Sequence, residues 1–188
     1  MRRKSTKEIL AESFVKLAEK RPINRITITN ITDNCGMSQP TFYNHFRDKY
    51  DLIVWIYVNS AKLITEKIGR DGYEWRDTLL EGARSYVENR DFAVNALLHT
   101  SGKEAFFFQV QQANIELLSK EVRKKLKTDE IPEDLMGLIR VYCYGTVQFT
   151  FEWLTGDVRI SPEEVADICE RALPEQLKPY LYPGKEKK

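Results

Sequence analysis

Between Gly36 and Phe46 the chain reads Gly-Met-Ser-Gln-Pro-Thr-Phe-Tyr-Asn-His-Phe, and few folds accommodate that order. Gly36 can take the left-handed conformation that ends a preceding helix. Two residues on, Ser38 offers a hydroxyl to cap the next helix. Pro40 fits the first turn of that helix, where a missing N–H costs little. Phe42 and Phe46, four apart, give it one apolar face. The helix is expected from Gln39 to about His45. Its other face carries Gln39, Thr41, Tyr43, Asn44 and His45, hydrogen-bonding groups on an element too short and too polar to be core. Such a helix suits recognition in a DNA major groove.

The preceding residues supply a scaffold. Ile9, Leu10, Phe14 and Leu17 recur at helical spacing and predict a helix over 6–19. Arg21-Pro22 stops it, and Asn24-Arg25-Ile26 reads as a loop. Thr27 then caps a second helix whose apolar face is Ile28, Ile31 and Cys35. Three short helices in about 45 residues have the size of a helix-turn-helix domain. Charge is uneven in the same sense. Residues 1–50 hold ten Lys/Arg against five Asp/Glu, while the rest holds nineteen against twenty-three. A basic N-terminal module fits an anionic partner at one end, although an ordinary uneven surface would look the same.

Beyond residue 50 the pattern stays helical. Asp48 is placed to cap a fourth helix reaching about Ile68, a rod about 30 Å long at 1.5 Å per residue. Gly69-Arg70-Asp71-Gly72 breaks the chain. Further helices are expected over 74–88, 92–99, 103–126, 133–155 and from Ser161. The last opens with an N-cap, a proline and a capping-box Glu at Ser161, Pro162 and Glu164. Pro174 and Pro179 disrupt or end it, and the tail 184–188 is expected to fray. The helix over 133–155 is apolar around much of its circumference, so it should be buried on more than one side. Gly137 and Gly145 would let another helix come close. No strand pattern or repeat occurs, so the class is all-α with about nine helices.

The run from Gly36 to Phe46, followed by Lys49, resembles the helix-turn-helix signature of the TetR family of bacterial transcriptional regulators. That resemblance covers about the first 60 residues. It implies that Ser38, Gln39, Pro40, Thr41 and Asn44 sit where base and nearby backbone contacts are made. Gln39 and Asn44 would suit adenine edges, and Pro40 or Thr41 a thymine methyl. Tyr43, His45, Lys49 and Thr27 resemble the family's phosphate-contacting positions. Capping accounts for Thr27 and Ser38 in any case, and Tyr43 would also serve as a packed aromatic with an exposed hydroxyl. The stretches Tyr86–Phe92, Ser101–Phe106, Glu152–Gly156 and Ile160–Glu164 are similar to the C-terminal domain of members related to the dihydroxyacetone kinase regulator. In that subgroup's namesake the activating partner is a protein that carries the small molecule. The resemblance therefore allows a protein effector as well as an enclosed ligand.

Other classes fare poorly. There is no glycine-rich phosphate loop, H-E-x-x-H or G-x-S-x-G, so no enzyme mechanism is suggested. Cys35, Cys143 and Cys169 are far apart, without the spacing of a zinc site or disulfide framework, which fits a reducing cytoplasm. No apolar run is long enough for a membrane span. Tyr86, His99, Phe106, Tyr142, Gln148 and Phe149 are candidates for a ligand pocket, but aromatic residues at helical spacing also build cores. The expectation is a DNA-binding domain over 1–50 and a helical regulatory and dimerisation domain over 51–188. A homodimer would bind a palindromic operator under control of a small-molecule or protein effector, with no cofactor or metal. A helix-turn-helix-derived adaptor that has lost DNA binding is the alternative.

Overall fold

A computed structural model describes residues 3–101 and 105–182. Within them the chain forms ten α-helices and no strand. They are α1 (Thr6–Ala18), α2 (Ile28–Asn34), α3 (Gln39–Tyr43), α4 (Lys49–Thr65), α5 (Trp75–Glu88), α6 (Arg90–Leu98), α7 (Phe106–Leu126), α8 (Glu133–Thr155), α9 (Pro162–Arg171) and α10 (Lys178–Leu181). The helix start expected near Lys103 and the 184–188 tail fall outside the described residues.

Two compact units emerge from the packing. One comprises Met1–Val58 with Asn89–Gln109, the other Asn59–Glu88 with Val110–Lys188. The first unit therefore includes α6 as well as the helix-turn-helix. In it α1 packs on α2 and α6, and α2 on α3. Leu10, Phe14, Ile23, Ile26, Ile31, Phe42, Leu52 and Ile53 are buried, which is the inward stripe that the helical periodicity requires. Phe14 meets Phe92 edge-on at 6.0 Å. Buried Ser13 donates to the Ile31 carbonyl at 2.6 Å and accepts from Asn34 Nδ2 at 2.9 Å, so the polar groups between α1 and α2 are satisfied.

In the second unit α9 lies along α5, and α5 also meets α8. Trp75, Leu118, Val122, Leu135, Ile139, Tyr142, Cys143 and Leu173 belong to one core cluster. A hydrogen-bonded chain runs through it. Trp75 Nε1 donates to the Tyr142 hydroxyl at 3.2 Å, and that hydroxyl donates to the Cys169 carbonyl at 3.0 Å. Three helices are thus joined by one buried phenol. Ser161 caps α9 with the expected reciprocal Glu164 bonds.

At the C-terminus α9 ends at Arg171, ahead of Pro174, in line with the expected break, and a short segment that the sequence reading did not include follows. After Pro174 a 3-10 turn over Glu175–Leu177 leads into α10, and Leu173, Leu177 and Leu181 are all buried. Pro179 sits in the first turn of α10, where its missing N–H has no helical partner to lose. Burial of an apolar residue every four positions seats this 3-10 turn and α10 on the core after α9 has ended at Arg171. Elsewhere the bounds shift by a few residues: α3 stops at Tyr43, α4 at Thr65, and α6 starts at Arg90. Where a loop is expected over Asn24-Arg25-Ile26, Ile23–Arg25 form a 3-10 turn.

Candidate nucleic-acid interface

Local chemistry sets the angle between α2 and α3. The Thr27 hydroxyl accepts from Asn30 N and the Asn30 side chain accepts from Thr27 N, which caps α2. At its far end Gly36 has φ +67, the left-handed geometry expected there. Met37 N returns to the Thr32 carbonyl at 2.9 Å. Ser38 is in extended conformation and its Oγ accepts from Thr41 N, so α3 begins at Gln39.

Phe42 is fully buried and Phe46 nearly so, their rings 5.7 Å apart. Phe46 continues to Trp55 at 5.8 Å, and the Lys7 ammonium lies over both rings. This aromatic seat holds the inner side of α3 and turns the opposite side outward. Thr27, Ser38, Gln39, Pro40, Tyr43, Asn44 and His45 are exposed, and Thr41 is half-buried. Tyr43 leans edge-on against Phe42 at 5.7 Å, so its ring is supported while its hydroxyl end stays accessible. The exposed edge therefore presents amide, hydroxyl and imidazole groups on a short helix held from its inner side.

Lys49 is placed differently from the exposed edge. Its Nζ donates to the carbonyls of Ile23, Asn24 and Ile26 at 2.9, 3.1 and 2.8 Å. An ammonium has three N–H donors, and all three are taken. Burial lowers its pKa from the ordinary lysine value, against the opposing pull of Asp48. Lys49 thus ties the start of α4 to the 3-10 turn ahead of α2. Asp48 caps α4 as expected, with Oδ1 accepting from the backbone N of Tyr50 and Asp51.

Two residues of this unit carry contacts that the sequence did not signal. Asn95 of α6 accepts from Ile23 N and donates to the carbonyls of Ala18 and Arg21. Thr29 accepts from Gln39 Nε2 at 3.0 Å. Neither residue belongs to a local motif, and each bond joins segments that only the fold brings together.

The six pocket candidates are divided between the two units. His99 and Phe106 belong to the first unit; Tyr86, Tyr142, Gln148 and Phe149 belong to the second. Tyr142 is the buried phenol joining α5, α8 and α9, and its low-dielectric surroundings push its pKa well above the usual tyrosine range. Gln148 is exposed and donates to Glu152. His99 ends α6, with Nδ1 at 3.1 Å from the Asn95 carbonyl. Phe106 is buried against Tyr57. The second unit does hold an open recess of about 480 Å³, lined by Lys67, Arg70, Asp71, Gly72, Tyr73 and Asp77, none of them among the six. Among the described residues no three His, Cys, Asp or Glu side chains cluster as metal ligands, and no helix is long and apolar enough to cross a membrane.

Comparison with known proteins matches both parts of the chain. Residues 10–54 match the family described as bacterial regulatory proteins, tetR family. Residues 73–175 match the transcriptional regulator C-terminal region of TetR proteins. A curated relative, the HTH-type dhaKLM operon transcriptional activator DhaS of Lactococcus lactis subsp. lactis, is 30% identical over 111 residues. That match spans 58% of this chain and 58% of the relative's length. Among solved structures, a dihydroxyacetone kinase operon activator DhaS superposes with TM-score 0.65 at 22% identity, covering 94% of this chain and 98% of that one. A TetR transcriptional regulator from Rhodococcus sp. RHA1 gives TM-score 0.64 at 16% identity, covering 89% and 95%. The capped α2, the Gly36 turn and the aromatic-seated α3 are a helix-turn-helix, and the chain belongs to the tetR family of DNA-binding transcriptional regulators.

Proposed function

We propose that the exposed edge of α3 reads operator bases while the residues around it hold the phosphate backbone. One observation carries this reading: Phe42 and Phe46 are buried, so Ser38, Gln39, Pro40, Tyr43, Asn44 and His45 are held outward together. Gln39 and Asn44 carry the acceptor–donor pair that adenine presents in complement, and Pro40 and Thr41 supply apolar contact for a thymine methyl. Tyr43, His45 and Thr27 are assigned to phosphates. Lys49, its donors engaged by three carbonyls, is assigned to holding α4 in place instead. Functionally, residues 1–50 form the DNA-binding domain and 51–188 the regulatory and dimerisation domain.

The protein acts in this reading as a homodimer on a palindromic operator, in the cytoplasm, by binding and not by catalysis. Support for the dimer comes from α8. Val141, Tyr144 and Gln148 are exposed along one stripe, and nothing lies within 4 Å of a Cβ built at Gly137 or Gly145. A second copy's helix would cover that stripe closely. In α9, Val165, Ala166 and Cys169 are already buried within the chain, so α8 carries the larger part of the interface. An effector, either a small molecule or a protein, would shift operator affinity by its preference between two arrangements, typically about 1–3 kcal/mol.

The test is binding to duplexes selected from a random-sequence library, measured across a salt series. Gln39→Ala and Asn44→Ala should relax preference at particular base pairs, by about 1–3 kcal/mol where a bidentate contact is lost. Tyr43→Phe should weaken all duplexes alike, by about 0.5–1.5 kcal/mol per contact. Wild-type binding without sequence preference or salt dependence would overturn the reading.

A further inference from the structure

Gln39 does not stand alone on the exposed edge of α3. Its Nε2 donates to Thr29 Oγ1 at 3.0 Å, ten residues earlier. Thr29 lies in the first turn of α2 and is exposed. The helix ends do not need this bond: Thr27 and Asn30 cap α2, and Ser38 caps α3. What it does is restrain a flexible side chain. A glutamine has two staggered torsions and a third, broad one that rotates the amide, so an unrestrained Gln39 would present its amide in many directions. With one N–H given to Thr29, the carbonyl oxygen and the second N–H remain. That acceptor–donor pair complements the N6–H and N7 groups of adenine in the major groove.

We propose that Thr29 is a positioning residue for base recognition: it holds the Gln39 amide in place before DNA arrives, and so sharpens preference for an A·T pair at the position Gln39 reads. The proposal rests on the reading of α3 as the element that enters the groove. Preorganisation of this kind improves discrimination because less side-chain freedom is lost when the correct base is met. A mismatched base gains no such benefit, since the restrained amide cannot turn to suit it.

The experiment uses the full chain and a random-sequence duplex library. Duplexes enriched by wild type supply a consensus, and affinities are then measured on that consensus and on every single-base variant. Gln39→Ala should flatten the preference at one base pair in each half-site. Thr29→Val keeps the shape of the side chain and removes its hydroxyl. It should reduce preference at that same base pair by about 2- to 10-fold, the value of one hydrogen bond. Other positions and the salt slope should be unchanged. Thr29→Ser should restore the preference, and Thr29→Val should add nothing in a Gln39→Ala background. A uniform loss on all duplexes would overturn the proposal, because the hydroxyl would then meet the DNA backbone. A shift that persists in the Gln39→Ala background would also overturn it, because Thr29 would then read a base directly. If Gln39→Ala relaxes one position and Thr29→Val relaxes none, only the positioning role falls. If Gln39→Ala changes no preference, or wild type enriches no consensus, the groove-reading role of Gln39 falls and the proposal with it.

Discussion

Asn95 Oδ1 accepts the backbone N–H of Ile23 at 2.9 Å across 72 residues of sequence. The same amide donates to the carbonyls of Ala18 and Arg21, closing the end of α1 and the start of the following 3-10 turn. Helix ends leave carbonyls without helical partners, and here a side chain from α6 satisfies them. Lys49 takes the carbonyls of Ile23, Asn24 and Ile26. The turn leading into α2 is thus held by two side chains through both its N–H and its C=O groups.

Asn95→Ala removes three hydrogen bonds at once and leaves part-buried backbone groups unpaired. The expected cost is about 1–3 kcal/mol, the penalty for an unsatisfied buried group. Asn95→Asp keeps the acceptor for Ile23 but sets a carboxylate against two carbonyls, so it should be no better than Ala. Urea unfolding of the three proteins at neutral pH measures this directly. An Asn95→Asp protein as stable as wild type would show that the bonds to Ala18 and Arg21 contribute nothing.

Lys49→Met keeps most of the aliphatic stem and deletes the ammonium. Stability should fall by about 1–3 kcal/mol as three carbonyls lose a charged donor. The slope of log affinity against log salt should stay as in wild type, since no phosphate contact is removed. A lysine bound to a phosphate would instead lower that slope by about one per subunit. Salt titration on a selected duplex separates the two outcomes.

Val141 and Tyr144 are 71% and 42% exposed on one face of α8, whereas Phe151 and Leu154 are 5% and 2% exposed. The two pairs should respond differently to a charge. Val141→Glu or Tyr144→Glu should weaken a dimer of about 44 kDa, twice the 22.0 kDa chain, without much change in monomer stability, because an unpaired charge in an interface is costly. Phe151→Glu should unfold the second unit. Sedimentation at micromolar concentration, paired with unfolding curves, distinguishes them, and a monomeric wild type would remove the dimer.

The buried thiols predict alkaline sensitivity. Burial pushes Cys143 up to about 12 and Cys169 up to about 11 from ordinary values near 9. Between those limits the folded state keeps a proton that the unfolded chain releases. Their stabilising contribution is therefore full below pH about 9 and is lost as pH rises. Each group steepens the fall by up to about 1.4 kcal/mol per pH unit. Cys143→Ala should flatten the decline of unfolding free energy between pH 9 and 11 relative to wild type. An unchanged slope would mean the thiol is not held neutral by the fold.

The chain's local rules are written in its sequence. Thr27, Gly36, Ser38, Asp48 and Ser161 mark helix ends because caps and left-handed turns depend on residues within one turn of each other. The 3.6-residue apolar period gives the helices and the inward side of α3 for the same reason, and the recognition edge follows as whatever faces away from Phe42 and Phe46. Tertiary structure decided what those rules do not reach. Lys49 sits in a motif position that suggests phosphate binding, yet three carbonyls some 25 residues away claim its donors. On α8, apolar around much of its circumference, only the packing of its neighbours turns Phe151 and Leu154 inward and Val141 and Tyr144 outward. The burial of Leu177 and Leu181 fixes a 3-10 turn and the short α10 on the core after Pro174. Asn95 and Thr29 gain their roles from segments that meet only once the chain has folded, because a hydrogen bond between distant residues depends on the path of the backbone between them and not on the residues' own preferences.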